Sequence, residues 1–132
     1  MDTPHNLIQM AIDAKSKAIP TYSNFHIGAA LLAKSSKVYI GANIENSSYG
    51  LTICAERTAA FNAVLEGERE FEAIAIAGDC DEYLSPCGAC RQVLMELCGQ
   101  NLKVFMVNNK GEYKESILSE LLPCSFNKDF LK

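Results

Sequence analysis

The chain has 132 residues, which is enough for a single domain spanning residues 1–132. Hydrophobic residues make up 48% and charged residues 21%, globular proportions that exclude a disordered or low-complexity protein. The net charge of -4 provides no positive field for a polyanion, so we expect no nucleic acid partner. No apolar run reaches the roughly 20 residues of a membrane span, and residues 1–15 lack the apolar centre of a secretory signal. We therefore expect a cytoplasmic protein without membrane association.

The first half of the chain predicts a helix, a hairpin and a second helix. Apolar residues recur at helical spacing over residues 4–18, and a proline follows. Two apolar runs, 27–33 and 38–42, flank a short polar segment and predict a β-hairpin. Residues 43–52 are polar and predict a loop, after which residues 53–66 have the pattern of a helix that ends at a glycine.

The second half predicts a parallel strand, helix and strand unit. Residues 72–77 are almost continuously apolar, as in a strand covered on both faces. A helix is predicted over residues 87–98, followed by a second buried strand over 102–107. A turn over 108–111 and a short helix over 117–122 complete the predicted elements. We see no linker, repeat or second domain.

Three cysteines lie where the predicted helices begin. Cys54 comes at the start of the helix after strand 38–42, and Cys87 and Cys90 come at the start of the helix after strand 72–77. Ligands of open α/β sheets bind beyond the carboxyl ends of the strands. If the two strands run in the same direction, the three thiols meet at one edge of the sheet.

The spacing of these cysteines indicates a metal site. Cys87 and Cys90 form a Cys-x-x-Cys pair, which alone is typical of either a redox pair or half of a zinc site. Cys54 adds a third thiol, and Glu56 places a carboxylate two residues after it. With Pro86 before the pair, the pattern matches that of zinc deaminases, in which cysteine occupies a position that histidine can also hold.

Three protein ligands leave the fourth tetrahedral position of Zn²⁺ open for water, which distinguishes a catalytic zinc from a structural one. A fourth cysteine would make the site structural. Cys98 lies about 16 Å along the helix from Cys87, too far to share the ion. Cys80 and Cys124 are predicted to lie in loops, and the sequence leaves them open as fourth ligands or as ordinary cysteines.

Two charged residues of the helix 53–66 have predicted roles near the metal. Three thiolates on Zn²⁺ sum to a charge of -1, which weakens the ion as a Lewis acid. Arg57 shares a helical face with Cys54, so we expect it to donate to the cysteine sulfurs, held in turn by Gln92. Glu56 begins the apolar stripe of the helix, and a buried carboxylate has a raised pKa that suits proton transfer. Side chains two apart on a regular helix diverge by about 200°, so Cys54 and Glu56 converge only beside the helix start.

Five segments together resemble the motifs of the small homotetrameric cytidine deaminases, and they span nearly the whole chain. They are Tyr22-Ser23-x-Phe25, Gly28-Ala29-Ala30-Leu31, residues 43–59 with Cys54-Ala55-Glu56, residues 85–93 with Pro86-Cys87-Gly88-Ala89-Cys90, and residues 120–126. The chain departs from the family in two places. Asn127 and Lys128 follow Phe126 where relatives commonly have Gly-Pro, and Thr21 stands where many have proline.

The resemblance implies a three-layer α/β/α sandwich with a five-stranded mixed sheet. It also implies hydrolytic deamination of cytidine, with one zinc per chain on Cys54, Cys87 and Cys90 and with Glu56 as the proton shuttle. The implied substrate contacts are Asn43 and Glu45 on the ribose 3′-hydroxyl, backbone groups of Ala55 and Ser85 and the ring of Phe25 on the base, and Tyr49 and Phe126 from neighbouring subunits. A homotetramer with shared active sites follows from the same resemblance.

Three other functions compete with this hypothesis. A deaminase of a cytosine-bearing antibiotic such as blasticidin S shares the zinc motifs, but Asn43 and Glu45 favour a nucleoside. A polynucleotide deaminase is disfavoured by the acidic charge balance and the absence of tryptophan. A zinc-stabilised binding module without activity would need the cysteines but not Glu56.

Overall fold

A computed structural model of the chain describes residues 3–128. The helices and strands, in chain order, are α1 (Thr3–Ala14), β1 (Ile27–Ala33), β2 (Val38–Ala42), α2 (Ala55–Leu65), β3 (Phe71–Gly78), α3 (Gly88–Cys98), β4 (Lys103–Val107), β5 (Tyr113–Ile117) and α4 (Leu118–Leu121). Short 3₁₀ turns cover Lys15–Lys17 and Tyr49–Leu51. Within residues 3–128, no helix has both the length and the apolar character that crossing a bilayer requires.

The five strands form one mixed sheet in the order β2-β1-β3-β4-β5. Strand β1 is antiparallel to both β2 and β3, whereas β3 and β4 are parallel and β5 is antiparallel to β4. Because β2 and β3 are each antiparallel to β1, they run in the same direction. Their carboxyl ends therefore lie at one edge of the sheet, as the sequence analysis required for the cysteines to meet.

Helices cover both faces of this sheet. On one face α1 buries Leu7, Ile8 and Ala11 against side chains of β1, β3 and β4. On the other face α2 and α3 pack over a second cluster, in which four alanines of α2 are fully buried. These are the three layers, with a five-stranded mixed sheet, that the resemblance implied, so the predicted fold class is confirmed.

Two glycines let these helices approach the sheet backbone. A Cβ on Gly28 would lie 2.1 Å from the carbonyl oxygen of Ala11 in α1. A Cβ on Gly41 of β2 would lie 2.3 Å from the carbonyl oxygen of Ala55 and 2.5 Å from the amide nitrogen of Ala59. Both clashes are with helix backbone, which cannot rotate away. Helix α2 therefore sits directly on β2 only because residue 41 is glycine.

We expect Gly41→Ala to lower the free energy of unfolding by at least the roughly 1–3 kcal/mol typical of overpacking, because α2 must move off the sheet. Thermal unfolding measures the loss, and zinc content should fall with it because Cys54, a proposed zinc ligand, directly precedes α2 and moves with the helix. Gly50→Ala is the matched control, since a Cβ there meets nothing within 4 Å. Equal stability of the two variants would contradict the close packing of α2 on β2.

The elements predicted from the residues are present, with one omission. The hairpin, the parallel unit of β3, α3 and β4, and the two long helices lie where the patterns placed them. Strand β5 over Tyr113–Ile117 was not predicted from its own residues. It is an edge strand whose side chains are mostly exposed, so it lacks the apolar alternation that marks a half-buried strand.

Candidate active site

The three cysteines lie at the starts of two helices on the same edge of the sheet. Cys54 is the residue before α2 and has an extended backbone, with φ -74° and ψ 157°. Cys87 precedes α3 in the same way, with φ -66° and ψ 163°, and Cys90 lies in the first turn of that helix. Because Cys54 lies outside the regular helix, the 200° divergence of helical positions does not separate it from Glu56.

The geometry of the thiols fits a tetrahedral metal ion. The three Sγ atoms lie within 4.8 Å of one another, and those of Cys54 and Cys87 are 3.7 Å apart. Two sulfurs that are each about 2.3 Å from a tetrahedral zinc ion lie about 3.8 Å apart. Among the described residues, this group contains Cys54, Cys87 and Cys90 and no fourth ligand.

The remaining cysteines lie outside the group. The Cys80 thiol donates a hydrogen bond to the carbonyl oxygen of Glu82, 3.2 Å away. Cys98 is the last residue of α3, and burial raises the pKa of its thiol to about 12. Cys124 is exposed. Within residues 3–128, Cys54, Cys87 and Cys90 are therefore the three cysteines that can share one metal ion.

A positively charged side chain of α2 lies against the thiol group and offsets its negative charge. Arg57 Nη2 donates to Cys54 Sγ at 3.3 Å. Hydrogen bonds from Cys90, Arg57 and Cys87 lower the pKa of the Cys54 thiol to about 5, and the bond to Cys54 raises the pKa of Arg57 above its ordinary value. These contacts favour the thiolate form of Cys54, which is the form that ligates metal.

The structure gives Gln92 a different contact from the one predicted. Its Nε2 donates to the carbonyl oxygen of Phe126 at 2.7 Å rather than holding Arg57, whose buried Nε has no hydrogen-bond partner. Gln92 faces the carboxyl-terminal segment because that segment passes over α3. Gln92 thus ties the backbone of Phe126 to the helix that carries Cys90.

Glu56 points into the protein beside the thiols. Its side chain is only 4% exposed, and its Oε1 atom is buried without a hydrogen-bond partner. Burial, reinforced by the charge on Cys54, raises the pKa of this carboxyl to about 7. A buried carboxyl group with a free oxygen and a pKa near neutrality can both accept and release a proton.

Asn43 and Glu45 brace the segment 22–27 next to the site. The Asn43 amide donates to the carbonyl oxygen of Phe25 at 2.9 Å and accepts from the Ile27 amide at 2.8 Å. Glu45 Oε1 accepts from the backbone amides of residues 22–23, both at 2.9 Å. Glu45 Oε2 accepts from the hydroxyl of Ser23, whose oxygen in turn accepts from the Phe25 amide. Asn43 and Glu45, which were predicted to hold the ribose, are therefore seen to fix the backbone around Phe25.

An arginine that the sequence analysis did not single out holds the loop before Cys87. Arg91 donates through Nε to the carbonyl oxygen of Pro86 at 2.8 Å and through Nη2 to the hydroxyl of Ser85. Its Nη1 donates to the carbonyl oxygen of Leu121 at 2.6 Å. The sequence signal for Arg91 was its position directly after Cys90, in the first turn of the predicted helix. Arg91 thus holds the side chain of Ser85, a predicted contact of the base, and the backbone of Pro86 directly after it.

The other predicted contacts differ in exposure. Ala55 is completely buried at the start of α2. The side chain of Tyr49 is 75% exposed and that of Phe126 is 59% exposed. The rings of Tyr22 and Tyr49 pack edge to face with centroids 5.9 Å apart. The surface near the site therefore carries exposed aromatic side chains.

Comparison with known proteins agrees with this geometry. Residues 1–107 match the sequence profile of the cytidine and deoxycytidylate deaminase zinc-binding region. This chain belongs to the cytidine deaminase family. A cytidine deaminase of Halalkalibacterium halodurans is 52% identical over 123 residues, which cover 93% of each chain.

Solved structures of family members have the same fold. A cytidine deaminase from Burkholderia pseudomallei superimposes with a TM-score of 0.90 at 47% identity, covering 92% of this chain and 98% of that one. The enzyme from Mycobacterium tuberculosis gives a TM-score of 0.83 at 35% identity, covering 96% of this chain and 98% of that one. The family is described by its zinc-binding region, and the thiol group of Cys54, Cys87 and Cys90 fits that metal.

Proposed function

We propose that the protein is a zinc-dependent hydrolase that converts cytidine and 2′-deoxycytidine to uridine and 2′-deoxyuridine with release of ammonia, a reaction of pyrimidine salvage. The observation that carries this proposal is the buried Glu56 carboxyl, with its unpartnered oxygen, beside the three thiols. Burial of a polar atom without a partner is costly, so such a group is retained where it acts. A zinc-stabilised binding module would have no use for it.

Cys54, Cys87 and Cys90 would hold one zinc ion per chain, and the bound ion supplies Lewis-acid activation of water. Arg57 supports this arrangement, since its hydrogen bond to Cys54 Sγ withdraws negative charge from the sulfur. The helix starts at Cys54 and Cys87 also direct their positive dipole ends toward the thiolates. The protein thereby offsets the net negative charge of three thiolates around the metal.

Glu56 would carry the protons of the reaction. The oxygen of water forms a bond to C4 of the cytosine ring, the bond from C4 to the amino nitrogen breaks, and ammonia leaves. Glu56 takes one proton from the water and delivers it to N3 of the ring. It then carries the second proton, from the new hydroxyl group on C4, to the departing amino nitrogen, and C4 becomes a carbonyl. A pKa of about 7 suits both directions of transfer, because neither protonation state is strongly preferred near neutral pH.

Residues around the segment 22–27 would bind the nucleoside. The Glu45 carboxylate has about four acceptor positions and uses three on residues 22–23, which leaves one for a ribose hydroxyl. Asn43 Oδ1 likewise retains one lone pair beside its bond from the Ile27 amide. The ring of Phe25 would pack on the pyrimidine, and backbone groups of Ala55 and Ser85 would contact its polar edge. The ribose contacts favour a nucleoside over blasticidin S.

We also propose a homotetramer with shared active sites. The loop and helix surface around α2 exposes large apolar side chains, which are Ile19, Tyr22, Ile44, Tyr49, Leu51, Phe61 and Leu65. Some of them line an open groove of about 470 Å³. Contiguous apolar surface of this kind is typical of an interface between subunits. The exposed Tyr49 and Phe126 rings would then enter sites of neighbouring chains.

The proposal includes a single cytidine deaminase domain over residues 1–132 that acts in the cytoplasm. One sheet combines strands from both halves of the described chain, which supports a single domain. All six cysteines are free thiols, which suits a reducing compartment.

We expect Phe126→Ala to lower kcat/KM for cytidine by roughly one to two powers of ten, because stacking on a base contributes about 1 to 3 kcal/mol. Mixing shows which subunit supplies the ring. Phe126→Ala and Glu56→Gln chains are unfolded and reassembled together, and hybrid formation is confirmed by mass spectrometry. Activity above the sum of the parents is expected for shared sites. Strict additivity in confirmed hybrids would mean that each chain stacks on its own substrate.

The substrate class is tested by following ultraviolet absorbance with cytidine, 2′-deoxycytidine, deoxycytidine monophosphate and blasticidin S under identical conditions. We expect turnover of both nucleosides, with much lower kcat/KM for the nucleotide and the antibiotic. Preference for blasticidin S would favour the antibiotic deaminase, and zinc-loaded protein that leaves every substrate unchanged would favour the binding module.

A further inference from the structure

The residues directly after β3 contact the segment that carries Phe25. The Asp79 carboxylate accepts from the backbone amide of His26 at 2.8 Å and lies 3.0 Å from His26 Nδ1. Lys15 Nζ lies 3.4 Å from the same carboxylate and 3.4 Å from the carbonyl oxygen of Gly78. Asp79 therefore links the turn after α1, the carboxyl end of β3 and the residue next to Phe25.

Gly78 makes room for the Phe25 ring itself. A Cβ on Gly78 would lie 3.1 Å from Cε2 and 3.3 Å from Cζ of Phe25, and 2.7 Å from Cδ2 of Leu84. The ring edge thus rests against the backbone at the end of β3. Strand β3 leads to the loop that precedes Cys87. This contact therefore fixes the position of the Phe25 ring relative to that loop.

The segment 22–27 depends on such side-chain bonds for its position. Residues 24–26 belong to no helix or strand, and Asn24 has a φ of 58°, in the left-handed region. Asn43 and Glu45 hold the segment from the side of β2, as described above. Asp79 is the carboxylate that holds it from the side of β3. Hydrogen bonds from His26 and Lys15 overcome the effect of partial burial and lower the pKa of Asp79, so it is ionised at neutral pH.

We propose that Gly78 and Asp79 together position the ring of Phe25, and that Asp79 is a positioning residue for binding of the pyrimidine ring. This inference rests on the proposed function, in which Phe25 packs on the base. Neither residue needs to touch substrate. Asp79 acts by holding the backbone at His26, and Gly78 acts by leaving space for the ring.

We expect Asp79→Ala to raise KM for cytidine about tenfold and to leave kcat within about twofold, because a loosened ring weakens ground-state and transition-state binding alike. Asp79→Asn should lie between wild type and Asp79→Ala, since the amide oxygen can still accept from His26. Asp81→Ala is the matched control. Asp81 lies in the same loop but bonds to Asn109, so its KM should equal that of the wild type. Zinc content and thermal unfolding are measured for every variant.

A double-mutant cycle with Phe25→Ala separates positioning from general destabilisation. If Asp79 acts through the ring, adding Asp79→Ala to Phe25→Ala should change KM by less than about twofold, since coupled residues are not additive. Gly78→Ala provides the same test without removing a charge. The new methyl meets only ends of flexible side chains, so the fold is kept while the ring is displaced.

Additive effects of Asp79→Ala and Phe25→Ala, or a KM for Asp79→Ala equal to that of Asp81→Ala, would overturn the inference. If Asp79→Ala fails to fold, the cycle with Gly78→Ala decides by the same criteria. Wild-type turnover of cytidine with additive variants would overturn this inference alone. A wild type without turnover would overturn the proposed function on which it rests.

Discussion

Glu56→Gln is expected to lower kcat for cytidine by more than the roughly 10² to 10⁴ that acid-base catalysis usually contributes, because one carboxyl group serves several proton transfers. The amide has nearly the same size and fits the same buried site, but it cannot exchange a proton. Stopped-flow or long-incubation assays of uridine formation measure the loss. Zinc content and thermal stability should match those of the wild type, since Glu56 is not a ligand.

Glu66→Gln is the matched control for this substitution. It makes the same chemical change just after the carboxyl end of α2, where Glu66 is exposed and far along the helix from the thiols. Its kcat should be unchanged. If Glu56→Gln retained a tenth of the wild-type turnover, another residue would have to carry the protons, and the buried carboxyl would lose its assigned role.

Cys54→Ala is expected to abolish both tight zinc binding and measurable turnover. Cys54 is the thiol supplied by α2, so its loss leaves only the two ligands of α3 and removes the thiolate that Arg57 stabilises. Two ligands on one helix turn hold zinc far more weakly than three converging from two helices. Metal analysis of the purified, dialysed variant measures the loss.

Cys98→Ala tests whether the effect is specific to the thiol group. This thiol is also partly buried, but it lies at the far end of α3 from Cys87, so zinc and turnover should be retained. X-ray absorption of the zinc-loaded wild type should show three sulfur neighbours at about 2.3 Å. Four sulfur neighbours, or zinc loss in Cys98→Ala, would contradict the open site with three ligands.

The thiol group could be predicted because it depends on chain order and strand direction. Cys54 and Cys87 each come directly before a recognisable helix, and Cys90 lies in the first turn of the second one. A shared direction of β2 and β3 was the only further condition. The position of Glu56 was harder to predict. Its convergence with Cys54 depends on Cys54 lying just before α2 with an extended backbone, a detail of one dihedral pair that residue patterns do not report.

The contacts around the segment 22–27 could not be predicted for a different reason. Asn43, Glu45 and Asp79 reach that segment from separate parts of the chain, and their partners are mostly backbone amides, which every sequence offers. Polar residues after strands look alike whether they bind solvent, substrate or a neighbouring loop. Strand β5 was missed for a related reason, since an exposed edge strand is defined by its partner β4 rather than by its own side chains.

Titration of metal-free protein with zinc, with uridine and ammonia measured at each step, tests the central claim most directly. The account predicts no turnover without metal. The rates of uridine and ammonia formation should rise linearly with added zinc and reach a plateau at about one zinc per chain. Uridine and ammonia should form in equal amounts. Turnover by metal-free protein, or protein loaded with one zinc per chain that releases no ammonia from cytidine, would contradict it.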